Sequence, residues 1–367
     1  MRILYFSLFL VTALAVYFGM HILVYSRIAR GLDMSGTIRV RFKILLLIAA
    51  LLFILAEFLS RFSWSYPFVF VGSVWLGMIA MAFFIFLLEW GFSWLGSWPN
   101  KPRIWAAILL VFFLSALSLF NQALRPRVRV IDVPLAKLPS GLSGFSIVQL
   151  SDLHLGNLTS LGRLNWIIDQ TNRLRPDLIV ITGDLIDRDI RQQNEFCHAL
   201  QRLKARYGIL AVTGNHEYYA GLEKFREIAT LIGMRVLSNQ MVTVAGQIQI
   251  AGLNDDAANE LGQTKPDLGQ ALAGCDQSKP LILLYHRPDR FKVAVQKGVD
   301  LQLSGHTHAG QIPPMDLLVW LVYKYPFGFY RLHDSFIYTT CGTGTWGPPM
   351  RLFSRSEIVK FVLVRPQ

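Results

Sequence analysis

Seven side chains of the kinds that bind metal ions lie in five short blocks after residue 150 of this chain. The seven are Asp152, His154, Asp184, Asn215, His286, His306 and His308. Imidazole, carboxylate and amide ligands together suit borderline transition metals such as manganese, iron or zinc rather than calcium. A cage for two adjacent ions predicts hydrolysis of a phosphate ester, because paired metals stabilise both the attacking and the leaving oxygen.

Each block directly follows a short run rich in β-branched and aliphatic residues, which predicts a strand. These runs are Phe145–Leu150, Leu178–Thr182, Ile209–Thr213, Leu281–Tyr285 and Leu301–Leu303. Further strands are predicted at Ile248–Leu253, Phe336–Thr340 and Ile358–Val364, and helices at Leu161–Arg173 and Leu222–Ile232. This order indicates an α/β domain of two packed mixed sheets flanked by helices. Because ligands gather at the carboxyl ends of strands, we expect the blocks to converge, aided by sharp turns at the preceding glycines.

The blocks occur in a recognisable order: Asp-x-His, Gly-Asp-x-x-Asp, Gly-Asn-His-Glu, His, then Gly-His-x-His. This set resembles the calcineurin-like metallophosphoesterase superfamily, and Ser-Asp-Leu-His-Leu-Gly with Gly-His-Thr-His-Ala-Gly-Gln resembles its bacterial membrane-associated branch. The resemblance covers residues 128–367 and implies a β-sandwich core with two divalent ions. It implies that Asp152, His154 and His308 hold one ion, that Asn215, His286 and His306 hold the other, and that Asp184 bridges them.

The same resemblance makes His216 the general acid or a stabiliser of the transition state. Paired ions lower the pKa of a bridging water toward about 7, and His216 then protonates the leaving oxygen. Asp187 and Glu217 are candidates for orienting His216 or a ligand histidine, with a turn cap or a surface acid as the alternative. Asn254 and Arg287 are candidate phosphate contacts, although Arg287 next to a proline equally fits a brace for a turn.

The composition divides the chain in two. Of its 367 residues 53% are hydrophobic, and residues 1–122 carry nearly all of the excess. A net charge of +12 fits a protein beside an anionic membrane surface, and no nucleic-acid-binding motif is present. The three cysteines predict neither a disulfide framework nor a cysteine metal site. We predict a membrane region over residues 1–122, a linker over 123–127 and a catalytic domain over 128–367.

The membrane region contains four apolar segments of spanning length: Ile3–Tyr25, Ile44–Leu59, Phe68–Leu88 and Ile104–Phe120. The first is too long for the apolar part of a signal peptide and is interpreted as a retained span. Glu89 lies near a span end, so its side chain is expected to reach the interface. His21 is expected to contact a neighbouring helix.

Basic residues around these segments predict an orientation. They concentrate in the first and third loops, whereas the N-terminus offers Arg2 and the second loop Arg61. The positive-inside rule then places both termini, and the catalytic domain, on the periplasmic side of a bacterial inner membrane. Arg125, Arg127 and Arg129 after the last span argue for the opposite orientation.

One apolar segment, Met315–Tyr325, follows the last histidine block. It is too short to span a bilayer and too apolar for an exposed loop. Leu318, Trp320 and Leu321 are expected to dip into lipid, and a buried core helix or a dimer contact is the alternative. The favoured substrate is therefore a lipid-linked phosphate ester, such as a phospholipid or glycolipid. A membrane-anchored phosphodiesterase for a soluble substrate and a non-catalytic metal- or nucleotide-sensing module remain alternatives, and the oligomeric state stays open.

Overall fold

The structure is a computed structural model that describes residues 2–60, 62–96, 99–187 and 192–366, so that Arg61 lies outside the described residues. The chain divides into two compact units. The first comprises Met1–Ala123 together with two later segments, Gln311–Met315 and Gly347–Phe353. The second comprises Leu124–Gly310, Asp316–Trp346 and Ser354–Gln367. The sequence predicted one continuous catalytic domain over 128–367, whereas the two later segments within that range belong to the first unit.

Four long helices form the first unit. They are α1 (Arg2–Gly31), α2 (Gly36–Leu59), α3 (Tyr66–Phe92) and α4 (Asn100–Ala123). All four are long and apolar enough to cross a membrane, which confirms the predicted spans. They pack through apolar side chains from every helix, among them Tyr17, Ala50, Ile79 and Ile104. The chain is therefore a membrane protein.

Polar contacts also join these helices. His21 Nε2 accepts a 3.0 Å hydrogen bond from Trp75 Nε1, so the predicted helix–helix contact is confirmed. The prediction for Glu89 was wrong, because its side chain is buried rather than extended to the interface. Arg27 and Arg103 lie 2.9 and 2.5 Å from its carboxylate oxygens. The end of α3 meets the end of α1 and the start of α4 here, and the two arginines compensate the buried charge.

Two sheets form the second unit. Its strands are β1 (Arg127–Pro134), β2 (Ser146–Leu150), β3 (Leu178–Thr182), β4 (Ile209–Val212), β5 (Met234–Val236), β6 (Gln240–Val244), β7 (Ile248–Gly252), β8 (Leu281–Leu284), β9 (Leu301–Ser304), β10 (Gly328–Leu332), β11 (Ser335–Thr339) and β12 (Glu357–Val364). Within the described residues the sheet orders are β1-β12-β2-β3-β4-β5 and β10-β11-β9-β8-β7-β6. β2, β3 and β4 run parallel, as do β7, β8 and β9. The predicted pair of mixed sheets is confirmed.

Short helices flank the sheets. They are α5 (Leu161–Arg173), α6 (Gln193–Leu200), α7 (Asn215–Ala220), α8 (Leu222–Leu231), α9 (Ala257–Glu260), α10 (Leu268–Ala271), α11 (Phe291–Gln296) and α12 (Met315–Val322). On β3, Leu178 and Val180 join the core between the sheets, whereas Ile179 and Ile181 face the core shared with α5, α6 and α8. Burial on both faces explains why the central strands are continuous apolar runs. For the eight strands and two helices predicted in this unit, the predicted and observed bounds agree to within one residue.

The strands β1, β5, β6 and β10 were not predicted from the sequence. β1 pairs in parallel with β12 at one edge of its sheet and is only half buried. The chain between α4 and β1 is therefore only Leu124–Pro126.

Candidate active site

Candidate metal ligands meet at the carboxyl ends of five strands. Three groups of described side chains have ligand atoms that all lie within 4.8 Å of one another. The first is Asp152, His154 and His308, the second is Asp184, His286 and His306, and the third is His154, Asp184 and His216. His154 Nε2 lies 3.1 Å from His308 Nε2, and His306 Nδ1 lies 3.2 Å from His286 Nε2. Imidazole nitrogens approach this closely where they can share an ion. The structure thus brings together the side chains that the ordered motifs single out.

Asp184 lies between the first two groups. Its Oδ2 is 3.2 Å from His286 Nε2 and 3.7 Å from His154 Nε2, and its Oδ1 accepts a 2.9 Å hydrogen bond from the His216 backbone N–H. One carboxylate oxygen therefore reaches both groups, which is the position that a bridging ligand requires.

Asn215 supplies a direct test of whether the site fits metal ions. Its Oδ1 is buried and accepts no hydrogen bond from any residue that the structure describes. A buried acceptor without a partner is costly, and coordination to a cation would satisfy it. Asn215 lies between Gly214 and His216, both of which approach Asp184. The residues present therefore fit divalent ions.

The backbone of the site is held in an uncommon conformation. The left-handed region contains Asp152 (φ 52°), His154 (φ 45°), Asp184 (φ 51°), His306 (φ 72°) and His308 (φ 50°). For a residue with a side chain this conformation costs about 1–3 kcal/mol and persists only where the surrounding structure imposes it. Such strain concentrates at functional sites, and here it turns the candidate ligands toward one another.

The glycines before the ligands are needed for different reasons. Gly183 has φ +91° and makes the sharp turn that was expected. Gly214 and Gly305 do not have positive φ angles. A Cβ atom on Gly214 would overlap Asp184 Oδ1, and one on Gly305 would overlap Ser151 Oγ and Asp152 Oδ2. These two positions need glycine because a carboxylate ligand packs directly against the backbone.

Gly305→Ala is expected to lower the metal content of the purified protein and to reduce phosphoesterase activity at least about tenfold, because Asp152 must move to admit the methyl group. Metal analysis and activity measurement test this. Gly162→Ala is the matched control, since a Cβ there meets nothing within 4 Å. Full metal content and activity in Gly305→Ala would contradict the close-approach argument.

Glu217 hydrogen-bonds to the backbone of two loops, and an orienting role toward a histidine remains a prediction. Its carboxylate is fully buried and accepts backbone hydrogen bonds from Asp184 (2.9 Å), Leu185 (2.8 Å), Ile186 (3.2 Å) and Gly214 (2.6 Å). Burial raises the pKa of Glu217 to about 7, and nearby Asp184 adds to the rise. Glu217 therefore clamps the loops after β3 and β4 together.

Asp187 makes the contacts that an orienting residue requires. Its Oδ1 lies 2.9 Å from Nδ1 of His154 and 2.9 Å from Nδ1 of His216. One carboxylate oxygen thus holds a candidate ligand and the candidate general acid. Tyr219 and Trp346 flank the His216 ring edge-on, at centroid distances of 5.8 and 5.7 Å. Both aromatic rings are exposed, so they border the open side of the site.

The candidate phosphate contacts have other partners. Asn254 Nδ2 donates to the Thr264 carbonyl at 2.9 Å, so this amide is committed to a loop. Arg287 donates from Nε and Nη2 to Asp255 at 2.8 and 3.0 Å, as the turn-brace interpretation requires. Its charge still reaches the site: burial lowers the pKa of His306 well below its usual value, and the charges of His286 and Arg287 lower it further. A phosphate contact by Arg287 remains a prediction.

The electrostatics of the site are dominated by its carboxylates. Burial lowers the pKa of His154, but Asp187, Asp184 and Asp152 outweigh it and raise the value to about 9. His286 follows the same pattern, with burial opposed by Asp184, and reaches about 10. Burial also acts to raise the pKa of Asp184, but His286, His216 and His154 hold it well below its usual value. The carboxylates thus create a strongly cation-attracting centre, and a metal ion must displace protons from these histidines to bind.

Two contacts of the candidate ligands were missed from the sequence. Ser151 Oγ donates a 2.6 Å hydrogen bond to Asp152 Oδ2, and Tyr323 Oη lies 3.0 Å from His306 Nε2. Ser151 adjoins its partner in sequence, and that adjacency was the available signal. Tyr323 lies 17 residues beyond His306, in a segment whose apolar character hid its hydroxyl group.

A β-sandwich whose strand ends carry these Asp–His groups defines a metal-dependent phosphohydrolase. Residues 145–310 match the model of the family described as calcineurin-like phosphoesterase. The chain is 35% identical over 290 residues to an uncharacterized metallophosphoesterase of Helicobacter pylori, covering 76% of this chain and 77% of that protein. The chain therefore belongs to the calcineurin-like metallophosphoesterase family.

Relatives of this chain also include membrane proteins. It is 38% identical over 269 residues to the "Transmembrane protein with metallophosphoesterase domain" of Danio rerio, covering 70% of this chain and 62% of that protein. Among solved structures, a putative 5'-nucleotidase from Staphylococcus aureus aligns with a TM-score of 0.36 and 13% identity, over 60% of this chain and 55% of that one.

Proposed function

We propose that this protein hydrolyses a lipid-linked phosphodiester or pyrophosphate at the membrane surface, with two divalent ions of manganese, iron or zinc. The observation that carries the catalytic part is the position of Asp184, whose Oδ2 reaches His154 and His286 of adjacent groups. The first ion is assigned to Asp152, His154 and His308, and the second to Asn215, His286 and His306. Asp184 is assigned to both.

Each residue of the site then has a defined task. When bound, the ions supply a nucleophile at neutral pH and neutralise charge on the phosphoryl group. His216 keeps Nδ1 on Asp187 at 2.9 Å, which leaves Nε2 to protonate the leaving oxygen. Tyr219 and Trp346 border the side on which the leaving group departs.

Metal depletion tests the catalytic part of the proposal. The full-length protein in detergent is stripped with a chelator and assayed on a small aryl phosphodiester before and after manganese is restored. Activity should disappear on stripping and return with close to two ions bound per chain. Full activity after exhaustive stripping would overturn the proposal, and a protein that binds metal but never turns over substrate would favour a sensing module.

The lipid part of the proposal is supported by the surface of α12. Leu318, Trp320 and Leu321 are 47, 59 and 82% exposed, so they do not form a buried core helix. Only Val319 of this helix faces inward among its described side chains. An exposed apolar turn of this kind, followed by the exposed cations Lys324 and Arg331, fits insertion at a bilayer interface.

Replacing Leu318, Trp320 and Leu321 together with glutamine is expected to reduce hydrolysis of phospholipid in vesicles at least about tenfold, because each buried apolar side chain contributes about 1.5–3 kcal/mol to lipid contact. Hydrolysis of a small aryl diester should change less than about twofold. Leu231→Gln, at another exposed apolar position, serves as the control. Equal losses on both substrates would remove the interfacial role and favour a soluble substrate.

We also propose that the catalytic unit lies on the periplasmic side of the bacterial inner membrane. The basic first and third loops support this orientation. Alkaline phosphatase fused after the last residue should be active, and green fluorescent protein fused there should be dark. The reverse result would place the site in the cytoplasm.

A further inference from the structure

Tyr323 makes the contact from which this inference starts. Its hydroxyl lies 3.0 Å from His306 Nε2, whereas Nδ1 of the same imidazole lies 3.2 Å from His286 Nε2. The Tyr323 ring and the His306 imidazole meet edge-on, with an interplanar angle of 77°. His306 therefore directs Nδ1 toward the candidate metal ligands and Nε2 toward Tyr323.

This arrangement selects one form of the imidazole. A neutral histidine that offers the Nδ1 lone pair to an ion carries its proton on Nε2. The hydroxyl oxygen of Tyr323, 3.0 Å away, can accept the Nε2–H hydrogen bond. Tyr323 can thus stabilise the tautomer that binds metal through Nδ1.

Two other candidate ligands have their second nitrogen held in the same manner. His154 Nδ1 lies 2.9 Å from Asp187 Oδ1, and His286 Nδ1 lies 2.8 Å from the Thr182 carbonyl oxygen. Those partners belong to the loop after β3 and to β3 itself. His306 differs because its partner stands at the end of the apolar helix α12.

Tyr323 is distinguished from the other partners by its place at the end of α12. Its backbone N–H donates to the Val319 carbonyl at 2.9 Å, so it continues the last turn of α12. The two preceding residues, Leu321 and Val322, are the most exposed side chains of that helix. The group that orients His306 is therefore covalently next to the most exposed apolar turn.

We propose that Tyr323 is a positioning residue for His306, which it holds with Nδ1 toward the second ion, and that it links α12 to the metal centre. This inference rests on the proposed function, because it assumes that His306 binds an ion. The Tyr323 hydroxyl group, although it lies in an apolar segment, is then part of the metal centre. The role is one of orientation, since Tyr323 acts through His306.

Manganese binding by the full-length protein in detergent tests this role without relying on activity. After metal stripping, Mn²⁺ is titrated and binding is followed by electron paramagnetic resonance. Tyr323→Phe retains the ring and loses the hydroxyl, so it should weaken one of the binding steps about 10–100-fold. Tyr325→Phe is the matched control, because the buried Tyr325 ring packs on Phe291 and Tyr330, at centroid distances of 5.2 and 5.3 Å. It should bind Mn²⁺ as the unaltered protein does.

A double-mutant cycle separates positioning through His306 from a general structural effect. On a His306→Ala background, Tyr323→Phe should cause no further loss of Mn²⁺ affinity, because the group that it orients is already absent. Two results would overturn the role of Tyr323 and leave the proposed metal centre standing. One is unaltered Mn²⁺ binding by Tyr323→Phe. The other is an equal loss of Mn²⁺ affinity when Tyr323→Phe is made on the His306→Ala background. Absence of Mn²⁺ binding by the unaltered protein would overturn the proposed metal centre as well.

Discussion

Asp184→Asn is expected to cost more activity than alanine substitution of any single ligand histidine. Asp184 Oδ2 reaches both His154 and His286, so loss of its charge weakens two ion positions at once. Replacement of a group that supports a metal ion costs about 10–100-fold in affinity, and two affected ions give about 10²–10⁴-fold together. Asparagine preserves the size of the side chain and the acceptor for the His216 N–H, so the change is one of charge.

Metal content and turnover are measured side by side to test this expectation. Asp334→Asn provides the control, because that carboxylate is 93% exposed and pairs with an exposed arginine. The measurements are repeated for His286→Ala, because the proposed assignment gives His286 to the second ion alone. If Asp184→Asn retained both ions, or lost no more activity than His286→Ala, the bridging position would be wrong.

His216→Ala is expected to retain the metal ions and to lose about 10²–10⁴-fold in turnover, the usual contribution of a general acid. The basis is the fixed His216 ring, whose Nδ1 lies 2.9 Å from Asp187 Oδ1 and whose edges are flanked by Tyr219 and Trp346. The defect should shrink on a nitrophenyl ester, because nitrophenolate departs without protonation. Turnover on alkyl and nitrophenyl esters, together with metal content, measures both effects.

This variant also decides between two roles for His216. The structure groups His216 with His154 and Asp184 within ligand distance, so direct coordination is the competing role. Loss of an ion in His216→Ala would establish that role and remove the general acid. His333→Ala controls for the substitution itself, since His333 is exposed on a turn.

The strands and the order of the ligand blocks were readable from the sequence because both are local patterns. β3 reads as a continuous apolar run, since it is buried on both faces, and Asp184 follows it by two residues. Parallel strands bring their carboxyl ends to one edge, so the convergence of the blocks followed from their order. The four spans were equally local, because length and apolar composition define them.

Partners distant in sequence depended on the tertiary structure. Glu89 was expected at the interface because it lies near a span end, but its partners Arg27 and Arg103 reach it only when the helices assemble. Glu217 was predicted either to orient a histidine or to cap a turn. Its carboxylate accepts hydrogen bonds from backbone N–H groups of the loop after β3, which only packing brings there.

The sequence by itself determined which residues can bind metal and which elements carry them, since these depend on residue type and short-range periodicity. The tertiary structure decided which second groups hold the ligands in place. Gly305 is needed because Asp152 packs against its backbone, and Tyr323 meets His306 across 17 residues. Neither contact is indicated by a repeating pattern or by adjacency of the two residues in the sequence. Both depend on distances that exist only after the two sheets and α12 have packed.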